Sequence, residues 1–303
     1  MGHFPSKYAH FQISSRLLTV VFQNSDGKER FFYNSAGELV EVQPRPHLIP
    51  GLKDITQIAC GADHALALDA SGDIWAWGIS EQGQLGRRLL PRSANLDLVP
   101  HRVEICRKNA KYIASGQYHS FAVDNRDNVW AWWLNSYGEA RHIKRSGDST
   151  SLPYPMKIPG LCGKGVVLLD GGAHHSVAVT ASGECFVWGR IDGGQLGVDF
   201  TSDQLADGSL VLHDERGKPR ICAQPVVLTH IGKVSHASCG TDHTIFVNKD
   251  GEAYSAGFGS MGQLGRGAED EVPVARLIKD KALKDRVLTW TGAGGQFSLV
   301  AGP

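Results

Sequence analysis

The chain has 303 residues, 42% of them hydrophobic, with 31 basic residues against 31 acidic ones. That length and apolar content bury a sizeable core and exclude a disordered polypeptide, and the even charge announces neither a nucleic-acid nor a membrane partner. Six scattered cysteines without a C-x-x-C pair argue against a zinc ribbon or redox pair and read as free intracellular thiols, and no run approaches the roughly 18 apolar residues of a membrane span.

Taken in chain order, the opening MGHFPSKYAHFQISSRL carries no repeat marker, so residues 1–19 stand apart from a repeat domain over 20–303. Residues 20–34 read as a wedge-like hairpin turning at Asp26-Gly27. From there a period takes over. The pattern G-x-x-H falls at Gly61/His64, Gly116/His119, Gly172/His175 and Gly240/His243, spaced by 55, 56 and 68 residues, with an imperfect copy at Gly294/Phe297. Sixteen residues after each anchor glycine stands Trp77-Gly78, Trp132-Trp133, Trp188-Gly189 or Ala256-Gly257. Q-L-G ends twenty-five residues after the anchor at Gly86, Gly197 and Gly265, while the second copy has Arg141 there.

Each copy reads as a small antiparallel sheet. The strands 64–68, 119–123 and 175–179 lead through turns such as A-S-G-D into Ile74–Trp77, Val129–Trp132 and Cys185–Trp188, a hairpin of β-formers. No stretch outside these units holds a helical period. One blade cannot bury both of its faces, so the units stack radially. The expected fold class is all-β, a β-propeller of about four to five blades. His64, His119, His175 and His243 recur once per blade and so read as structural; Cys60 and Cys239 read as packed thiols, and Trp77, Trp132 and Trp188 as core. The charged run from His213 to Arg220 reads as a solvated loop explaining the 68-residue spacing.

WD repeats of about 40–45 residues and kelch repeats of about 50 do not fit. The markers G-x-x-H-S, D-x-x-G, W-G and Q-L-G at these offsets resemble the regulator of chromosome condensation family over residues 20 to 303. The run S-E-Q-G-Q-L-G-R-R (80–88), the ending V-L-T-W-T-G-A-G-G-Q-F-S (287–298) and the segment Leu17 to Val42 are similar to fungal members of the branch that acts on the small GTPase Ran. The resemblance implies a nuclear, chromatin-associated guanine nucleotide exchange factor. It would work by stabilising the nucleotide-free GTPase, without covalent chemistry, metal or cofactor. A β-wedge of Phe22, Gln23, Asn24, Ser25, Asp26, Gly27, Lys28 and Glu29 would disturb the partner's phosphate-binding loop, and Asp63, Arg87 and His174 would face the partner.

The family's propeller has seven blades, so the resemblance also implies a partial or open arc lacking the N-terminal blades, with exposed strand edges. Phe297 replaces a family histidine, and the second copy's W-W with its lost Q-L-G points to a loosened blade edge. Asp242 recurs at the offset of Asp63, which leaves a structural role for Asp63 open, and His174 is equally balanced. A propeller that binds another protein without exchange is the alternative function.

Overall fold

The computed structural model describes residues 51–78, 84–87, 99–134, 151–267 and 269–303, together with residue 49 and four short strands nearer the N-terminus. Those four form two pairs, β1 (Phe11–Ser14) with β2 (Leu17–Val20) and β3 (Phe32–Tyr33) with β4 (Leu39–Val40). Strand pairing therefore reaches into the segment without repeat markers. Val20, the first residue of the expected wedge hairpin, pairs back with Phe11. The wedge residues Phe22 to Glu29 lie outside the described residues.

From residue 55 onward, among the described residues, the hairpin of two strands read in the repeats is present in each of four blades. Blade one orders β5 (Ile55–Cys60), β6 (His64–Asp69), β7 (Ile74–Gly78) and β8 (His101–Arg102). Blade two orders β9 (Ala110–Ser115), β10 (His119–Asp124), β11 (Val129–Leu134) and β12 (Ser151–Lys157). Blade three holds β13 (Val166–Gly171), β14 (His175–Thr180), β15 (Cys185–Arg190), β16 (Val211–His213) and β17 (Pro219–Leu228), with β17 paired to β15 and β16 added outside it. Blade four orders β18 (Val234–Cys239), β19 (His243–Asn248), β20 (Ala253–Phe258) and β21 (Glu271–Leu277). A last pair, β22 (Trp290–Gly294) with β23 (Phe297–Ala301), occupies the first two positions of a further blade.

Local chemistry fixes the central hairpin of each blade. In blade one the Asp69 carboxylate accepts from the Ser71 and Asp73 amides and from Trp75 Nε1 (2.9 Å), holding the turn while Gly72 sits at φ +84°. Asp124 repeats the arrangement with Trp130 Nε1 at 3.1 Å. In that blade Asp127 takes the glycine's place at φ +60°, a conformation Asp tolerates better than most residues.

The blades then pack face to face, and the apolar clusters sit between them. Leu66 and Ile74 of blade one meet Ile113 and Trp132 of blade two. Phe121 and Val123 meet Phe186 and Trp188 of blade three, and Val177 and Val187 meet Phe246 and Ala256 of blade four. Burying one such aromatic side chain removes 150–250 Å² from water, worth about 4–6 kcal/mol at ~25 cal/mol per Å². The first strands β5, β9, β13, β18 and β22 touch in series and line the propeller axis. Polar side chains stitch them together. Gln57 donates to Ile113 O (2.7 Å) and accepts from Ile113 N (3.0 Å), and Tyr112 donates to Leu169 O (3.2 Å). Asp170 accepts from Ser238 Oγ (2.8 Å) and Cys239 N (2.9 Å).

The repeating histidines are buried hinges between blades. His64 Nε2 lies 2.8 Å from Ser120 Oγ, His119 Nε2 3.0 Å from Ser176 Oγ, His175 Nε2 2.9 Å from Thr244 Oγ1, and His243 Nε2 2.8 Å from Ser298 Oγ. In each case the hydroxyl belongs to the residue just after the next blade's histidine position. Thr244 gives its own proton to Gln195 O (2.8 Å), so His175 must be the donor in that pair. The anchor glycines make room for these rings. A Cβ on Gly172 would lie 2.3 Å from His175 Cε1 and 2.3 Å from Gly240 O. The series has two ends: Ala65 has no hydroxyl, and Phe297 has no imidazole.

Two expectations need correction. The run from His213 to Arg220 is not a plain loop. Its ends pair as β16 and the start of β17, with His213 opposite Pro219, around an Asp214 turn whose carboxylate accepts from the Arg216 and Lys218 amides. The same connection holds a helix, α1 (Ser202–Ala206), started by a capping box between Thr201 and Gln204. Five residues are too few to show a period. Phe297 and Leu299 of β23 are exposed, at 52% and 57%.

Burial pushes His64 and His175 down to about 3 and His243 to about 4, and holds His119 well below its ordinary value. Below about pH 6.5 the unfolded chain binds protons that these folded rings refuse. Stability is therefore full above that pH and falls toward pH 4, by up to about 1.4 kcal/mol per pH unit for each ring. Urea midpoints at pH 7.5 and pH 5 test this, and a flat profile contradicts it. Gly172→Ala is expected to cost more than about 3 kcal/mol, read from the same urea midpoints, because backbone as well as ring must move.

Candidate partner-binding face

Antiparallel strand order decides which loops share a face. In every blade the connection after the first strand and the connection after the third emerge on one side, and the other two emerge opposite. The first set is 61–63, 116–118, 172–174 and 240–242; the second carries Gln84–Arg87 in blade one, α1 in blade three and residues 259–270 in blade four. Asp63, His174 and Arg87 thus lie on one face.

The first-strand loops are laced into a continuous rim. Ala62 N donates to Gln117 O (2.8 Å), Gln117 N to Gly172 O (3.0 Å), Ala173 N to Thr241 O (3.1 Å) and Thr241 N to Gly295 O (3.0 Å). Gln117 Nε2 also reaches Thr241 Oγ1 at 2.7 Å, spanning blade three. The loop residues before the histidines, Asp63, Tyr118, His174 and Asp242, are all half-buried, and Tyr118 packs against the cluster between blades one and two.

Asp63 and His174 occupy equivalent loops two blades apart, with Tyr118 between them in sequence. The Tyr118 and His174 rings lie 5.9 Å apart, tilted by 34°. The His174 carbonyl accepts from Arg190 N (2.8 Å), and the Arg190 side chain pairs with Asp192 and with Asp242 (3.5 Å). Gln195 Nε2 approaches the same Asp242 oxygen at 3.5 Å. Asp242 is therefore held in a small ionic network. Arg87 follows Gly86, which stands at φ +68° where its missing Cβ leaves room for Val103 and Trp132. Trp132 Nε1 donates to Gln84 O at 3.0 Å, fixing this loop to blade two.

Arg190 joins the face without having been singled out from sequence, and Tyr118 and Asp242 join it as residues recognised there only by their offset. Tyr118 and Asp242 share the offset of Asp63, and Arg190 directly follows the Trp188-Gly189 marker, so the signal was available. Burial pushes the Cys106 and Cys222 thiols up to about 12 and raises Cys60, Cys185 and Cys239 as well. Among the described residues no group of three His, Cys, Asp or Glu is placed to hold a metal ion. The inward histidines are neutral and engaged with hydroxyls. The face presents polar side chains on short loops over a rigid scaffold.

The RCC1-like domain matches residues 15–300. The chain belongs to the RCC1-like domain family. Protein pim1 of Schizosaccharomyces pombe is 36% identical over 253 residues, covering 83% of this chain and 46% of pim1. The guanine nucleotide exchange factor SRM1 of Saccharomyces cerevisiae is 31% identical over 266 residues, covering 87% of this chain and 54% of SRM1. Among solved structures, that of Prp20p from Saccharomyces cerevisiae, described with its binding to Gsp1p and histones, superposes with a TM-score of 0.80 at 29% identity. It covers 94% of this chain and 66% of Prp20p. The chain spans about half the length of the curated relatives it matches.

Neighbouring histidines in one RCC1-like loop are expected to behave oppositely. His174→Ala changes stability by no more than about 0.5 kcal/mol, while His175→Ala costs about 2–4 kcal/mol through a lost hydrogen bond and a cavity. Thermal melts of the two variants decide it.

Proposed function

We propose that the chain is a guanine nucleotide exchange factor for a Ran-type small GTPase, using the face that carries Asp63, Arg87 and His174. The observation that carries this reading is that Asp63 and His174 on the laced rim share one propeller face with the loop that carries Arg87, in a chain 31% identical to a protein named as an exchange factor. The step needs no covalent chemistry. A surface that binds the nucleotide-free GTPase more tightly than the loaded one weakens nucleotide binding by the same factor, so each tenfold preference loosens the nucleotide tenfold. Asp63 and Arg87 supply opposite charges for ion pairs across the interface, and His174, half-buried beside Tyr118, supplies a polar edge with an aromatic neighbour. The wedge from Phe22 to Glu29 is the segment proposed to displace the partner's phosphate-binding loop. The likeness to Prp20p, described with histones, supports a chromatin-attached, nuclear setting.

The test is release of fluorescent GDP from purified Ran with the chain at substoichiometric amounts. Fast release by the parent chain, lowered at least about tenfold by Asp63→Ala with an unchanged melting temperature, is expected from loss of about 1.4 kcal/mol of interface energy. A folded chain that binds nucleotide-free Ran without accelerating release would instead be a recognition module.

A further inference from the structure

A groove of about 250 Å³ opens between blades three and four, lined by Ile191, Leu196, Val198, Phe200, Leu205 and Pro273 among others. Its walls come from the Q-L-G loop of blade three, from α1 and from the start of β21. The capping box at Thr201 fixes α1 so that Leu205 is half-buried over the groove, and Phe200 is half-buried beside it. The volume falls short of the ~300–1,000 Å³ of a small-molecule site and suits one large apolar side chain.

The charge around it is mostly acidic, with Lys218 and Arg220 flanking Pro219, which also lines the groove. Between Arg190 and Arg216 stand Asp192, Asp199, Asp203, Asp207, Asp214 and Glu215 with no lysine or arginine, and between Arg266 and Arg276 stand Glu269, Asp270 and Glu271 with none either. Asp192 is paired with Arg190 and Glu269 with Arg266. Asp199, Asp203, Asp270 and Glu271 are exposed, and among the described residues they take part in no ion pair. Asp199 lies between the groove residues Val198 and Phe200, and Glu271 lies two residues before Pro273, so the unpaired charges border the apolar floor on both blades.

We infer that this groove docks a basic peptide segment, inserting one large apolar side chain between blades three and four while lysines or arginines on either side meet the acidic border. An apolar pocket supplies the anchor and the unpaired acids supply attraction and orientation. The groove opens on the same face as Asp63, Arg87 and His174, but the inference does not depend on the exchange reading.

Fluorescence anisotropy on the full chain tests it with a labelled nonapeptide of lysines and arginines around one central leucine. Saturable binding is expected, weakening about tenfold or more on raising salt from about 50 to about 300 mM. The same peptide with glycine in place of leucine should bind at least about tenfold more weakly. Leu205→Trp fills the groove without changing charge, and Asp199→Lys combined with Glu271→Lys reverses the border without filling it; each should weaken binding at least about tenfold. Circular dichroism and melting temperature confirm that both variants fold. No saturable binding by the parent chain overturns the inference, as does equal binding of the leucine and glycine peptides or unchanged binding by either variant. GDP release is read on the same samples, and its retention or loss bears on the exchange reading alone.

Discussion

Each blade is completed by its neighbour through one buried imidazole. A histidine at the start of the second strand crosses the blade boundary to a hydroxyl one residue beyond the next histidine position, from His64–Ser120 through to His243–Ser298. Much else follows from this pairing. The ring must lie over the preceding loop, so the residue three positions earlier can carry no Cβ and is glycine. The loop is thereby drawn tight, which brings its amide within reach of the next blade's carbonyl and produces the laced rim. The aromatic and aliphatic clusters supply most of the energy, but they would tolerate sliding; the imidazole and hydroxyl fix the angle at which one sheet meets the next.

The hydrogen bonds between blades hold the rim loops on a rigid frame. Asp63, Tyr118, His174 and Asp242 stand one residue before a fully buried histidine, so a half-buried loop residue and a structural residue are adjacent in each of these four blades. Little entropy is left to lose when a partner binds such loops. Longer elaborations use the same face because the third connection of each blade is free to grow without disturbing the sheet. Blade three shows this with α1 and β16, both inserted between β15 and β17 while the pairing of those two strands persists.

The repeating parts of this architecture were legible because each marker has a separate physical cause at a fixed offset. Gly61 marks ring packing, Gly72 a left-handed turn, Trp132 the inter-blade core and Gly86 a tight loop against the next blade. Even the hydroxyl partners leave a trace, as Ser120, Ser176, Thr244 and Ser298, though one sequence does not say that the bond crosses between blades. Non-repeating parts were not legible. The α1 turn and the β16 strand are shorter than any period that could announce them. Arg190 gains its meaning from Asp242, which lies 52 positions away in another blade. Phe22 to Glu29 stand on resemblance alone, since the described residues do not include them.

The hydroxyl partners all lie C-terminal to their histidines, by 56, 57, 69 and 55 residues. That polarity matters during synthesis. A ribosome releases the chain from its N-terminal end at about 5–20 residues per second, so the receiving hydroxyl emerges seconds after the imidazole that needs it. Until then a newly made blade has its strands but not its lock, and its outer apolar face waits for a partner still being translated. A blade therefore gains this lock only once the following one has emerged and docked against it.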